Sequence, residues 1–88
     1  MPEASRYHHI SSAVVMVVPS RVAEIVQAIT RLEDTEICAQ ENGRIVVVME
    51  ATSVGELGGR LTAIGNLEGV IAANMVFEHV EELREAEP

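Results

Sequence analysis

Hydrophobic positions along the chain fall into six blocks that alternate between two periodicities. Residues 8–18 alternate weakly and then become solidly apolar (Ala13-Val14-Val15-Met16-Val17-Val18), which predicts a strand closed by Pro19. Val22, Ile25, Val26, Ile29 and Leu32 then recur at helical spacing, with Arg21, Glu24, Gln27 and Arg31 on the opposite side. This predicts a helix over about 21–32 with Ser20 as its cap. Residues 35–40 (Thr-Glu-Ile-Cys-Ala-Gln) alternate polar and apolar, as an edge strand does. Asn42-Gly43 is the strongest short hairpin signal, because both residues tolerate positive φ. The run Ile45-Val46-Val47-Val48-Met49 follows directly, β-branched and unbroken by glycine or proline, and predicts a central strand over 44–51.

Ser53-Val54-Gly55-Glu56 has the form of a capping box, in which serine and glutamate satisfy each other's backbone donors. Leu57, Leu61 and Ile64 supply the buried stripe of a second helix that Gly65 can end. Gly58-Gly59 in its middle suggests close packing on the sheet, since each glycine costs about 1 kcal/mol relative to alanine in a helix. A last strand is predicted over 70–79. The order β-α-β-β-α-β defines an α+β fold of the ferredoxin-like split βαβ type, a four-stranded antiparallel sheet with two helices on one face. Right-handed crossovers put the first and third strands in the middle, and these are the two most apolar. The expected division is a flexible N-terminus (1–7), one domain (8–79) and an acidic C-terminal tail (80–88).

Alternation then assigns faces. Ser11, Ala13, Val15 and Val17 are expected beneath the helices, with Ile37, Ala39, Ile45, Val47 and Met49, and with Ile71, Ala73, Met75 and Phe77 from the last strand. The other face would carry Ile10, Ser12, Val14 and Met16, then Val46, Val48 and Glu50. Its margins would be Glu36, Cys38 and Gln40 on one side, and Val70, Ala72, Asn74, Val76 and Glu78 on the other. A chain of 88 residues is too short to roof both faces, so an apolar surface with an acidic rim should remain open.

Composition narrows what could sit there. Six arginines face fourteen acidic residues, for a formal net charge of −8. Such a chain repels nucleic acid and anionic lipid and favours basic partners. Glu78, Glu81, Glu82, Glu85 and Glu87 face only Arg84, so the C-terminal end reads either as a solvated tail or as a steering field for a cation. Tyr7 and Phe77 are the only phenyl rings and tryptophan is absent, against recognition of bases by stacking. Cys38 is alone, which excludes an intramolecular disulfide and favours a reducing compartment. No secretory signal is legible at the N-terminus, and the longest apolar run, Ala13 to Pro19, is far short of the ~20 residues of a membrane span. A cytoplasmic protein is expected.

Catalytic chemistry has no foothold in the pattern. There is no Ser/His/Asp set and no Cys/His pair on facing elements. His8 and His9 are sequence neighbours, point to opposite faces of a strand, and read as surface histidines rather than metal ligands. No enzyme activity, cofactor or metal is expected, and binding is the function class that remains.

The segments Ser11-Ser12-Ala13-Val14-Val15, Gly43 to Ala51, and Asn66-Leu67-Glu68-Gly69-Val70-Ile71-Ala72 resemble the NapD family, over roughly residues 8–80. Those proteins are cytoplasmic chaperones for maturation of the periplasmic nitrate reductase catalytic subunit. The resemblance implies binding of the twin-arginine signal peptide of the reductase precursor. It also implies delay of export until the molybdenum cofactor and iron–sulfur cluster are in place. It identifies no individual contact residues. Face assignment supplies those: Ile10, Ser12, Val14, Met16, Val46 and Val48 for the apolar side of the peptide, and Glu36, Glu50 and Glu78 for its arginines. Two alternatives stay open, a small-molecule-sensing regulatory module and a purely structural homodimer joined through the sheet. Monomer or weak homodimer is the expected state.

Overall fold

The computed structural model describes residues 6–83, and the side chains of residues 7–82. Its elements are β1 (Arg6–Val17), a 3-10 turn (Pro19–Arg21), α1 (Val22–Thr30), β2 (Thr35–Glu41), β3 (Arg44–Ala51), α2 (Val54–Gly65) and β4 (Val70–Leu83). All neighbouring strands are antiparallel, in the order β2-β3-β1-β4. The two most apolar strands, β1 and β3, are therefore central, as their composition predicts.

One face of the sheet carries the core. Ala13, Val15 and Val17 from β1 and Ile45, Val47, Met49 and Ala51 from β3 are buried, at every second position. Ile25 and Ile29 of α1 and Leu57 and Ile64 of α2 close over them. Ser11 is the buried polar member of this layer, and its hydroxyl donates to the Phe77 carbonyl at 3.0 Å. That satisfies a group which burial alone would penalise.

Two left-handed turns clamp the exit of β1. Asn42 (φ 54°) and Gly43 (φ 79°) form the hairpin turn, and the Gly43 carbonyl accepts from Val17 N at 2.8 Å. Gly69 (φ 99°) accepts from Val18 N at 2.8 Å, and a Cβ there would lie 2.9 Å from Arg21 Cβ. Position 69 needs glycine both for its backbone angle and for the approach of the 3-10 turn.

The helix ends differ from expectation in detail. Ser20 lies within the 3-10 turn and caps nothing; Arg21 takes the N-cap position of α1 without a side-chain bond. Pro19 explains this, since it favours the first turn of a helix and starts the 3-10 turn instead. Ser53 does cap α2, accepting from Glu56 N at 3.1 Å. Glu56 reaches back one residue further than a capping box requires, to Thr52 N at 3.0 Å. Gly58 and Gly59 face open space, with nothing within 4 Å of a Cβ, so close packing on the sheet does not explain them.

The outer strands run further than the hydrophobic pattern marks. β1 begins at Arg6 and β4 ends at Leu83, and beyond the His9–Ala51 pair they continue as a two-stranded ribbon. Arg6, Tyr7 and Val80 to Leu83 thus belong to paired strands rather than to tails. The remainder of the expected flexible N-terminus (1–5) and acidic tail (84–88) lies outside the described residues.

Candidate functional site: the open face of the sheet

Both helices lie on the same side, so the other face has no element of the described residues above it. Ile10, Ser12 and Val14 from β1 and Val46 and Val48 from β3 are half-buried there, shielded only by one another and by their neighbours in the sheet. Met16 is exposed and stands opposite Arg44. The pairs Ser12–Val48 and Val14–Val46 bring the valines into one strip along the two central strands. Glu36 lies beside Val48, and Glu50 beside Ile10. Of the nine residues nominated as peptide contacts, eight lie on this face.

Glu78 is the ninth and is not. It pairs with Ser11, on the helix side, where its carboxylate is 3.8 Å from His9 Nδ1. The cause is the bulge at Val76, one of two in β4. Register shifts between Ser12/Ala13 and between Met16/Val17 leave Val76 and Ile71 without partners, and both are well exposed. Each bulge reverses the alternation. Phe77, expected in the core, consequently pairs with Ser12 on the open face and is 57% exposed. Val70, expected on the open face, pairs with Val17 and packs against the core. Between the bulges the assignment holds: Ala73 and Met75 face the helices, Ala72 and Asn74 the open side.

A third bulge on β2 has the same effect. Cys38 is skipped between Ile37–Val47 and Ala39–Val46, so Ala39 turns to the open face and Gln40, opposite Ile45, turns away from it. With Glu41, Asn42, Arg44 and Val46 these two residues line a shallow hollow of about 260 Å³ at the hairpin end. All three bulges sit on edge strands, where an irregular outline discourages pairing with other chains.

Acidic groups gather at the opposite end, where the ribbon leaves the sheet. Glu50 accepts from or pairs with His8 Nε2 at 3.0 Å. Its backbone is held from beneath, since Arg60 of α2 donates to the Glu50 carbonyl and Glu50 N donates to the Asp34 carbonyl at 2.9 Å. Glu81 lies opposite His8 and 3.4 Å from His79 Nε2. Phe77, Ala39, His8, His79 and Glu81 are thus members of this face that alternation did not nominate. His8 alone had a usable signal, two residues before Ile10 in the same strand.

The described residues form a small α+β domain of the ferredoxin-like class, with an apolar sheet face that no described element covers and carboxylates at its margin. The family model described as "NapD protein" matches residues 8–82. A relative from Paracoccus pantotrophus, "Chaperone NapD", is 43% identical over 76 residues, 86% of this chain and 68% of the relative. Among solved structures, the solution structure of the E. coli Tat proofreading chaperone protein NapD superposes with a TM-score of 0.76 at 26% identity, over 92% of this chain and 87% of the other. This chain belongs to the NapD family. It is a chaperone rather than an enzyme. No helix among the described residues is long and apolar enough to cross a membrane.

Proposed function

We propose that the chain binds the twin-arginine signal peptide of the periplasmic nitrate reductase precursor on the open face of its sheet. It does so in the cytoplasm, and holds back export until the precursor has received its molybdenum cofactor and iron–sulfur cluster. The supporting observation is the strip of Val14, Val46 and Val48, which no described element covers, flanked by Ile10, Met16 and Phe77 and edged by Glu36 and Glu50. A signal of this kind has a basic start and an apolar continuation, so it can lay a greasy side on the valines while its arginines meet carboxylates. Met16 can reshape itself around different side chains. The solved relative is named a Tat proofreading chaperone, which agrees with this use.

Co-expression with the reductase precursor tests the proposal. Affinity capture of the chaperone should retain precursor with an uncleaved signal, and replacing the paired arginines and apolar stretch of that signal should abolish retention. Capture that survives loss of the signal would move the contact to the mature part of the client. Sedimentation that finds a tight dimer with the sheet at its centre would displace peptide binding in favour of a structural homodimer.

A further inference from the structure

β1 carries two adjacent serines that the pleat turns to opposite sides of the sheet. Ser11 is enclosed on the helix side, and its hydroxyl donates to the Phe77 carbonyl at 3.0 Å. Ser12 is half-buried on the open face, and its hydroxyl has no hydrogen-bond partner among the described residues. Val48 stands across from it on one side and Phe77 on the other, with Ile10 and Val14 two residues away along β1. Serine is the smallest side chain in that ring, and the only polar one. Between His8 and Glu50 at one end and Arg44 at the other, the described central strands turn no other polar side chain to this face. Asn74 shares the face but lies exposed on the edge strand, where docking need not dry it.

We propose that Ser12 sets the register of the docked segment. It selects, within the apolar stretch of that segment, one hydroxyl or carboxamide side chain that seats over it. The proposal rests on the peptide-docking reading above and adds a specificity-determining residue to it.

Water satisfies the Ser12 hydroxyl while the face is open. A greasy segment laid across Val14, Val46 and Val48 expels that water, because the serine lies among these valines. A hydroxyl buried without a partner costs at least as much as a hydrogen bond is worth. An unbroken apolar segment therefore docks at a penalty, and one that brings a hydroxyl or carboxamide to this point avoids it. Contacts with the valines alone leave the segment free to slide, since dispersion and burial have no direction. A hydrogen bond is short and directional, so it distinguishes one alignment from the next. Polar groups of this kind reject a ligand that lacks the matching group more sharply than an apolar pocket rejects a wrong shape.

Calorimetry of the full chain with a set of synthetic peptides tests this directly. Each peptide has two adjacent arginines followed by a stretch of leucine and alanine, and one position of that stretch at a time carries either threonine or its isostere valine. At one position the wild-type chain should bind the threonine peptide about fivefold to tenfold more tightly than the valine peptide, the worth of one hydrogen bond. At the other positions valine should be the better residue. Ser12→Ala should melt within a few degrees of wild type and reverse the preference at the selected position. Ser12→Thr, which keeps the hydroxyl, should retain it. A wild-type chain that favours valine throughout would overturn the proposal while leaving peptide docking intact. So would a threonine preference that survives in folded Ser12→Ala, or a Ser12→Ala chain that weakens every peptide equally. Absence of wild-type binding to every peptide would overturn the docking reading itself.

Discussion

Val47 and Val48 carry the same side chain at adjacent positions of β3 and differ only in the direction the pleat turns them. Val47 is fully enclosed in the core; Val48 is half-buried, with Ser12 and Glu36 beside it and no element of the described residues above it. The same contrast runs along β1, where Val15 is enclosed and Val14 is not. An antiparallel sheet covered on one side commonly turns polar residues to the other. Here valine occupies both sides, so residue type does not distinguish structure from function. Coverage does.

Introducing the same charge at each valine breaks that comparison most forcefully. Val47→Asp places a carboxylate in the closed core without a partner, and should cost more than about 4 kcal/mol and unfold the chain at room temperature. Loss of the far-ultraviolet dichroism of the sheet would register it. Val48→Asp should melt within a few degrees of wild type, because its carboxylate reaches water, yet weaken signal-peptide binding by about 2–3 kcal/mol through the charge left unpaired in the complex. A folded Val48→Asp chain with wild-type affinity in calorimetry would remove this face as the docking surface.

Phe77 sharpens the comparison at an edge. Simple alternation places it in the core, where Phe→Ala costs about 3–5 kcal/mol. The Val76 bulge turns it to the open face instead. Phe77→Ala should therefore lower stability by less than about 1 kcal/mol in urea titration and weaken peptide binding by about 1 kcal/mol. A stability loss of core size would place the ring back beneath the helices.

Phe77 also marks where the sequence stops being legible. In β1 and β3 the apolar runs Ala13 to Val17 and Ile45 to Met49 contain no skipped residue, so their central position follows from composition and strict alternation carries one choice of face along each strand. Asn42-Gly43 fixes the hairpin between β2 and β3 because no common alternative suits two consecutive positive φ angles. The edge strands are different. Cys38, Ile71 and Val76 are ordinary strand residues, and nothing in their chemistry says that the partner strand will skip them. A skipped residue inverts the parity of everything after it, and Ala39, Gln40, Phe77 and Glu78 all follow a skip. The rim of the site, which lies largely on those strands, was accordingly less legible than its valine centre.

Glu50 and Glu78 give the finest test, since they lie on opposite sides of the sheet at the same end of it. Each pairs with a histidine, and their difference is again one of face. Glu50→Gln removes a carboxylate at the edge of the apolar strip, and should weaken signal-peptide binding by about 0.5–1 kcal/mol and make its salt dependence shallower. Glu78→Gln removes the same charge from the helix side, where His9 is its neighbour and the peptide does not reach. Its binding constant should stay within about 0.3 kcal/mol of wild type at moderate salt, because a charge beyond a Debye length of the arginines is screened. Titrations of both variants at two ionic strengths separate a local contact from a diffuse field. If the two lose affinity equally, the arginines respond to net charge alone and no rim residue holds them; if only Glu50→Gln does, the pleat of β3 decides which carboxylate the peptide meets.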